Sequence, residues 1–234
     1  PYRAFISYRH ADNHEDGRRW ADWLHQALET YEVPKELVGQ KNGRGETIPA
    51  SLFPIFQDEK ELPADADLAK PIELALERSE SLVVLCSPRA VASTYVADEI
   101  LYFKKLGKAD RILALMIDGE PNAAGGKEGD GISADAECFP VPLRHPLGEN
   151  GELDLAKNAE PIAADVRPDG KPNQGFTSAQ AYHEFLEQAG VSGGELKRKT
   201  EGYREQLKLA RLKVLAGVLG VPLGELTRRD EAYQ

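Results

Sequence analysis

The sequence alternates short, continuous apolar runs with segments whose apolar residues recur every three or four positions. The apolar runs lie at residues 4–8, 54–57, 82–86 and 112–117, and helical patterns separate each run from the next. Continuous apolar runs are typical of parallel strands that are buried on both faces, because helices then cover both sides of the sheet. The pattern therefore predicts an α/β fold with a doubly wound parallel sheet, whose ligands bind at the carboxyl ends of the strands.

Two of the intervening helices carry further signals. Asp67 is placed to cap the second helix, and Pro71 is tolerated in the first turn of a helix. The third helix, at residues 93–106, is predicted to bury one stripe, formed by Val96, Ile100 and Phe103.

The second half of the chain is organised differently. Residues 119–175 contain 16 of the 36 Gly and Pro residues, which favours loops with room for one edge strand. Helical periodicity returns after Thr177, and residues 223–230 look like a last helical turn. We therefore divide the chain into a core at 1–122, a Gly/Pro-rich insert at 123–176 and a C-terminal helical extension at 177–234. The predicted buried stripes of the extension are Ala181, Phe185 and Ala189, then Tyr203, Leu207, Ala210, Val214 and Val218.

The extension either packs on the domain or transmits an input from a missing part of the protein, and packing is favoured. The chain begins with Pro1, and its one methionine is Met116. We therefore expect it to be a piece of a longer protein, and the family resemblance described below implies that it is the N-terminal part.

Composition excludes several function classes. The chain has 29 basic and 39 acidic residues, and its net charge of −10 argues against binding to the phosphate backbone of nucleic acids. No apolar run is long enough to span a membrane, so no membrane contact is expected from this fragment. Two cysteines make no disulfide framework, and Cys86 lies inside an apolar run as packing. These features predict a cytoplasmic protein, or the cytoplasmic part of a membrane-anchored one.

Conventional catalytic motifs are absent from the sequence. It has no G-x-G-x-x-G, Walker A, H-E-x-x-H or G-x-S-x-G pattern. The histidines and cysteines do not have metal-ligand spacing, so we predict neither a metal site nor a cofactor.

Four fragments in order carry a family resemblance: FISYRH at 5–10, PIFQDEKELPADADL at 54–68, SLVVLCSPRAVASTYVADEI at 81–100 and ILALMIDGEP at 112–121. Together they resemble a TIR (Toll/interleukin-1 receptor) domain over residues 2–122. The C-terminal segment LKVLAGVLGVPLGELTRRD is similar to that of a bacterial TIR subgroup. The resemblance implies a flavodoxin-like sheet, in agreement with the periodicity.

TIR domains either cleave NAD+ between nicotinamide and ribose or act as scaffolds that self-associate. The enzymes carry a glutamate in a W/Y-x-x-x-E pattern, which Tyr95 and Glu99 match, so the resemblance implies that Glu99 is catalytic. Loss of neutral nicotinamide leaves an oxocarbenium-like ribosyl cation, which a carboxylate stabilises. NAD+ is then the substrate, in a bacterial defence or cell-death response.

The resemblance also implies substrate contacts. Tyr95 would wall the ribose, Arg9 would meet the phosphates or the adenine end with His10 beside it, and Ser87 would line the same cleft. Two further positions of the family motif are Phe5 and Ser7. Ordinary alternatives stay open: Glu99 as a solvated helix residue, Tyr95 and Phe5 as core, and Arg9 in an ion pair with Asp12 or Asp58.

The acidic segment 58–67 corresponds to the BB loop of TIR domains. As such it would contact another copy of the domain and help close a shared site, whereas its charge disfavours direct phosphate binding. The predicted assembly residues are Asp58, Glu59, Lys60, Glu61, Leu62 and Pro63. The main alternative to the NAD+ hydrolase or cyclase is a non-catalytic interaction module, and a third is a related nucleoside or nucleotide ribosyl-transferring enzyme.

Overall fold

The central sheet has five strands, all parallel, in the order β2-β1-β3-β4-β5. The computed structural model describes residues 1–58, 66–126 and 131–232, without the side chains of 66–68. The strand order is that of a flavodoxin-like fold, which confirms the predicted fold class. The strands are β1 (Ala4–Ser7), β2 (Ile55–Gln57), β3 (Leu82–Cys86), β4 (Ile112–Met116) and β5 (Ile162–Asp165).

The helices follow the order expected for alternating strands and helices, with three more at the C-terminal end. None of the described helices is long and apolar enough to cross a membrane. They are α1 (Trp20–Glu29), α2 (Ala66–Glu77), α3 (Pro88–Val91), α4 (Thr94–Lys105), α5 (Val141–Arg144), α6 (Ala179–Gln188), α7 (Gly193–Leu219) and α8 (Leu223–Ala232).

Each strand sends alternate side chains into two hydrophobic cores. On one face, Ile6 and Leu115 pack with apolar residues of α1 and α7. On the other face, Phe5 and Val84 pack with residues of α2 and α4. Both faces are therefore covered, which is why the central strands β3 and β4 are apolar at every position.

The structure confirms the predicted stripe of α4 and corrects two other details. Val96, Ile100 and Phe103 are buried. Helix α2 begins at Ala66, so Asp67 lies inside the helix rather than at its cap, and Pro71 lies in the second turn.

The stripe predicted for α6 is wrong in its register. The helix buries Ala179, Tyr182 and Leu186, whereas Phe185 is 48% exposed. Tyr182 packs against Tyr203 of α7, with ring centroids 4.7 Å apart, so the contact with α7 decides which face is buried. The stripe predicted for α7 is buried throughout, and α8 is a helix of ten residues rather than a single turn.

Helix α7 lies directly on the sheet. A Cβ atom built on Gly217 would come within 2.6 Å of Leu113 Cδ2 of β4. The Tyr203 hydroxyl lies 2.7 Å from the carbonyl oxygen of Val166, just after β5, and accepts a hydrogen bond from the Phe176 amide. The long C-terminal helix thus forms part of the cover of the sheet.

Two glycines of α7 make a matched pair for testing this packing. We expect Gly217→Ala to lower the melting temperature, because its methyl group would overlap Leu113. Gly202→Ala should instead stabilise the protein by about 0.5–1 kcal/mol, because that position is exposed and has no neighbour within 4 Å. Thermal unfolding of the two variants beside the wild type measures both effects, and equal stabilisation by both would contradict the tight contact.

Candidate functional site

The segments with candidate site residues meet at the carboxyl edge of the sheet. Ser7 ends β1, Asp58 directly follows β2, and Ser87 directly follows β3. Helix α4, which packs on β1 and β3, brings Glu99 to the same edge. Because parallel strands end side by side, residues distant in sequence become neighbours here.

The carboxyl group of Glu99 is the most perturbed acid of this edge. Burial and the nearby carboxylates of Asp58 and Asp98 raise the pKa of Glu99 well above its usual range, and the Ser7 hydroxyl opposes the rise. Among the residues that the structure describes, the buried Ser7 Oγ has no hydrogen-bond partner of normal geometry. Glu99 is thus a partly buried acid with a raised pKa that lies against the buried Ser7 hydroxyl, which distinguishes it from a fully solvated helix residue.

Tyr95 lies one turn before Glu99 on α4. Its side chain is 43% exposed, so it is not a core residue. The i, i+4 spacing places both side chains on one face of the helix. The ring is therefore accessible to a ligand that approaches Glu99.

The end of β1 also borders an open cleft of about 330 Å³. In the described part of the chain its lining is polar, and Glu99 does not contribute to it. The Tyr8 and His10 rings stack at its edge, with centroids 5.6 Å apart. Tyr8 packs with the α1 core, whereas Glu99 belongs to the helix on the other face, so we take Glu99 rather than this cleft as the candidate reactive group. The lining consists of Tyr8, His10, Asn13, His14, Asp22 and Gln57.

Three of the candidate substrate residues, Phe5, Ser7 and Ser87, are inaccessible. Phe5 is fully buried and stacks on Phe56, with ring centroids 4.8 Å apart. Ser87 is also fully buried; its Oγ donates to Asp12 Oδ2 at 2.5 Å and accepts from the Ala90 amide at the start of α3. The Phe5 and Ser87 side chains have structural contacts instead of an open face.

Asp12, one of the two ion-pair partners considered for Arg9, is bound by another arginine. Asp12 pairs with Arg89, whose Nε donates to Asp12 Oδ1 at 2.5 Å. The Arg9 side chain is partly exposed, and its carbonyl oxygen accepts the Asp12 amide in the turn after β1. Arg9 and His10 therefore lie at the predicted edge.

The predicted assembly loop is described only at its first residue. The Tyr8 hydroxyl donates a hydrogen bond to the carbonyl oxygen of Asp58. The other predicted residues of this loop lie outside the described part of the chain: Glu59, Lys60, Glu61, Leu62 and Pro63.

Comparison with known proteins identifies the family. The family model described as "TIR domain" matches residues 4–135, more than half of the chain. The chain belongs to the TIR domain family. It is also 29% identical over 119 residues to the protein named NAD(+) hydrolase ApTIR of Actinoplanes sp., and this match covers 51% of the chain and 14% of that protein.

Sequence reasoning missed one feature of this TIR domain, a cluster of charged residues behind the site. Asp12 accepts hydrogen bonds from Ser87 and Arg89, and Arg89 also pairs with Asp118 at 2.9 Å. Each of these residues lies shortly after the carboxyl end of a strand, the edge of the sheet where the strand pattern predicted ligand binding. The positions of these residues after the strands can be read from the sequence, but which acid pairs with Arg89 depends on tertiary contacts.

The site has the chemistry of a single carboxylate. No group of three or more His, Cys, Asp or Glu in the described ranges could hold a metal ion. Cys86 is buried, and burial raises the pKa of its thiol well above the usual value, so its buried thiol is not a nucleophile. Glu99 remains as a group that can stabilise positive charge or accept a proton.

Proposed function

We propose that this TIR domain cleaves NAD+ at the bond between nicotinamide and ribose. The observation that carries the proposal is the desolvated Glu99 carboxyl at the carboxyl edge of the sheet, in a helix that also presents the Tyr95 ring. The name of the Actinoplanes relative, an NAD(+) hydrolase, supports the same substrate.

The proposed reaction needs one carboxylate. The C1′–N bond of the ribose breaks, and its electron pair leaves with nicotinamide, which becomes neutral. The ionised Glu99 stabilises the ribosyl cation through its negative charge, which acts more strongly in a partly buried site than in open water. Water then attacks C1′ and loses a proton to give ADP-ribose, or an adenine nitrogen attacks instead and closes a ring.

The raised pKa of Glu99 fits a cationic substrate. In the empty site the neighbouring carboxylates and burial favour the protonated acid. The positive nicotinamide ring of NAD+ favours the ionised form, so binding would release a proton and prepare the charge that the reaction needs. Tyr95 would wall the ribose, with Arg9 and His10 towards the phosphates or the adenine.

We further propose that copies of the domain assemble to complete the site, through the acidic loop that begins at Asp58. The negative charge of Asp58 raises the pKa of Glu99, so the loop begins near the reactive carboxyl. If the loop moves on assembly, the distance from Asp58 to Glu99 changes, and the pKa of Glu99 changes with it.

Nicotinamide release from NAD+, measured over a range of protein concentrations, tests both proposals. We expect release, with a rate per molecule that rises steeply with concentration. A constant rate per molecule would contradict assembly and leave the cleavage. No release at any concentration would contradict the cleavage and favour a non-catalytic interaction module, whereas cleavage of a nucleoside without nicotinamide would indicate the ribosyl-transferring alternative.

A further inference from the structure

A cluster of charged residues, buried at Asp12 and partly exposed at Arg89, links the segments that follow β1, β3 and β4 at the carboxyl edge of the sheet. Asp12, in the turn after β1, has a side chain with no exposed surface. It accepts hydrogen bonds from Ser87 and Arg89, which follow β3. Arg89 also pairs with Asp118, which follows β4. One guanidinium thus bridges two carboxylates from two different loops, a geometry that suits the rigid fork of arginine.

On one side the cluster is connected to the helix that carries Glu99. Within and after α3, backbone hydrogen bonds run from Val91 to Ser87 and from Ser93 to Ala90. Ser93 caps α4 by accepting the amide of Val96. These hydrogen bonds join Ser87 and Arg89 to the first turns of α4, where Glu99 lies.

On the other side the cluster is connected to β1. The Asp12 amide donates to the carbonyl oxygen of Arg9, two residues after Ser7, the end of β1. The end of β1 and the α3–α4 segment are thus joined twice: by Asp12 with Ser87 and Arg89, and by the approach of Ser7 to Glu99.

We propose that Asp12 and Arg89 are positioning residues that hold the Glu99 carboxyl in its place beside Ser7. This inference rests on the proposed role of Glu99 in cleaving NAD+. The cluster itself contacts no reacting atom in this scheme. It fixes the distance between the end of β1 and α4, and so sets how much water reaches Glu99.

The test is the pKa of Glu99, read by ¹³C NMR titration of its carboxyl in the ligand-free chain. We expect Arg89→Leu and Asp12→Asn each to lower this pKa toward the ordinary value, by about one pH unit, a tenfold change in proton affinity. Asp58 and Asp98, the carboxylates that face Glu99, are unchanged in both variants. The loosened segment admits water, which favours the ionised acid.

The two substitutions separate positioning from a direct charge effect. Through space, loss of the Arg89 cation would raise the pKa of Glu99, whereas loss of the Asp12 anion would lower it. Shifts in opposite directions, or no shift in folded variants, would overturn the proposal. Arg89→Lys keeps the charge but lacks the planar fork that holds both carboxylates, so we expect a smaller downward shift, and this milder variant serves as the test if the other two fail to fold.

Arg111→Leu is the matched control. Arg111 has a similar side-chain exposure (24% against 32% for Arg89) and pairs with Glu46 at 2.8 Å, but it precedes β4 at the opposite edge of the sheet. We expect it to lower stability without moving the pKa of Glu99, and an equal shift in this control would show a general loosening and overturn the proposal.

Activity gives a second measurement. If the chain cleaves NAD+, Arg89→Leu should lower kcat/KM roughly 10- to 100-fold, as expected for a misplaced catalytic group. An inactive wild type would contradict the proposed function alone, because the NMR titration still decides whether Asp12 and Arg89 position Glu99.

Discussion

Glu99→Gln should reduce nicotinamide release from NAD+ roughly 100- to 1000-fold, the usual cost of removing one group that stabilises a charged transition state. Glutamine keeps the size of the side chain but cannot carry the negative charge that the ribosyl cation needs. The loss should therefore appear in kcat more than in KM. Turnover at the wild-type rate would remove Glu99 from its proposed role.

Glu205→Gln is the control for this substitution. Glu205 lies on α7 and is exposed, so the same chemical change is made away from the site. We expect wild-type release from this variant, measured at the same protein concentration. A matching loss in both variants would indicate damage to folding or assembly instead of the loss of a catalytic carboxylate.

The same Glu99→Gln variant should be more stable than the wild type at neutral pH. The pKa of Glu99 is raised in the folded state, so the folded protein binds more protons than the unfolded chain as pH rises from the ordinary Glu value of about 4.3. The free energy of unfolding therefore falls as pH rises from the ordinary Glu pKa to the raised pKa of the folded state. Glutamine does not titrate in either state and so removes this loss of stability, and each kcal/mol recovered corresponds to about 2–4 °C in melting temperature.

Activity should rise with pH over the interval in which stability falls. The ionised Glu99 is the active form, so kcat/KM should fall as pH drops through the raised pKa, at a higher pH than for an ordinary glutamate. An acid limb near 4.3 would contradict the desolvated carboxyl.

Removal of residues 193–234 should abolish cooperative folding. Helix α7 buries large apolar side chains against the sheet and α6, each worth about 1.5–3 kcal/mol. Several such residues together exceed the roughly 5–15 kcal/mol that stabilises a whole domain. Circular dichroism should show no sharp thermal transition, and the core of β4 and β5 should become accessible. The buried residues include Tyr203, Leu207, Leu212, Val214, Leu215, Val218 and Leu219.

A shorter deletion provides the matched control. A chain that ends at residue 222 loses only α8, which buries Leu226. It should still unfold cooperatively, with a stability loss of about 2–5 kcal/mol, the cost of a large core truncation. A chain ending at residue 192 that melts like the wild type would show that the helices are an independent extension, as the division at residue 177 allows.

The local sequence predicted most helices and strands correctly. It failed where a contact with a distant segment decides which face of a helix is buried. The run at 82–86 became β3 with the same bounds, and the stripe of α4 was correct, because strand and helix periodicities are local properties. The register of α6 was wrong because Tyr182 faces Tyr203, which lies on another helix. The helix pattern by itself could not show which of two neighbouring apolar stripes would meet that partner.

The candidate site, too, was predicted from the sequence only in part. The spacing of Tyr95 and Glu99 and their family resemblance identified the candidate carboxylate from sequence. The sequence could not predict that Ser87 would bond to Asp12 or that Phe5 would be closed off by Phe56.

The sequence by itself determined the class of fold, the order of the strands and helices along the chain, and the residue to suspect. The tertiary structure decided that α7 covers one face of the sheet, that Asp12 and Arg89 join the end of β1 to the α3–α4 segment, and that Glu99 is desolvated. The physical reason is that periodicity is set by neighbours in the chain, whereas burial and charge coupling are set by segments that meet only after folding.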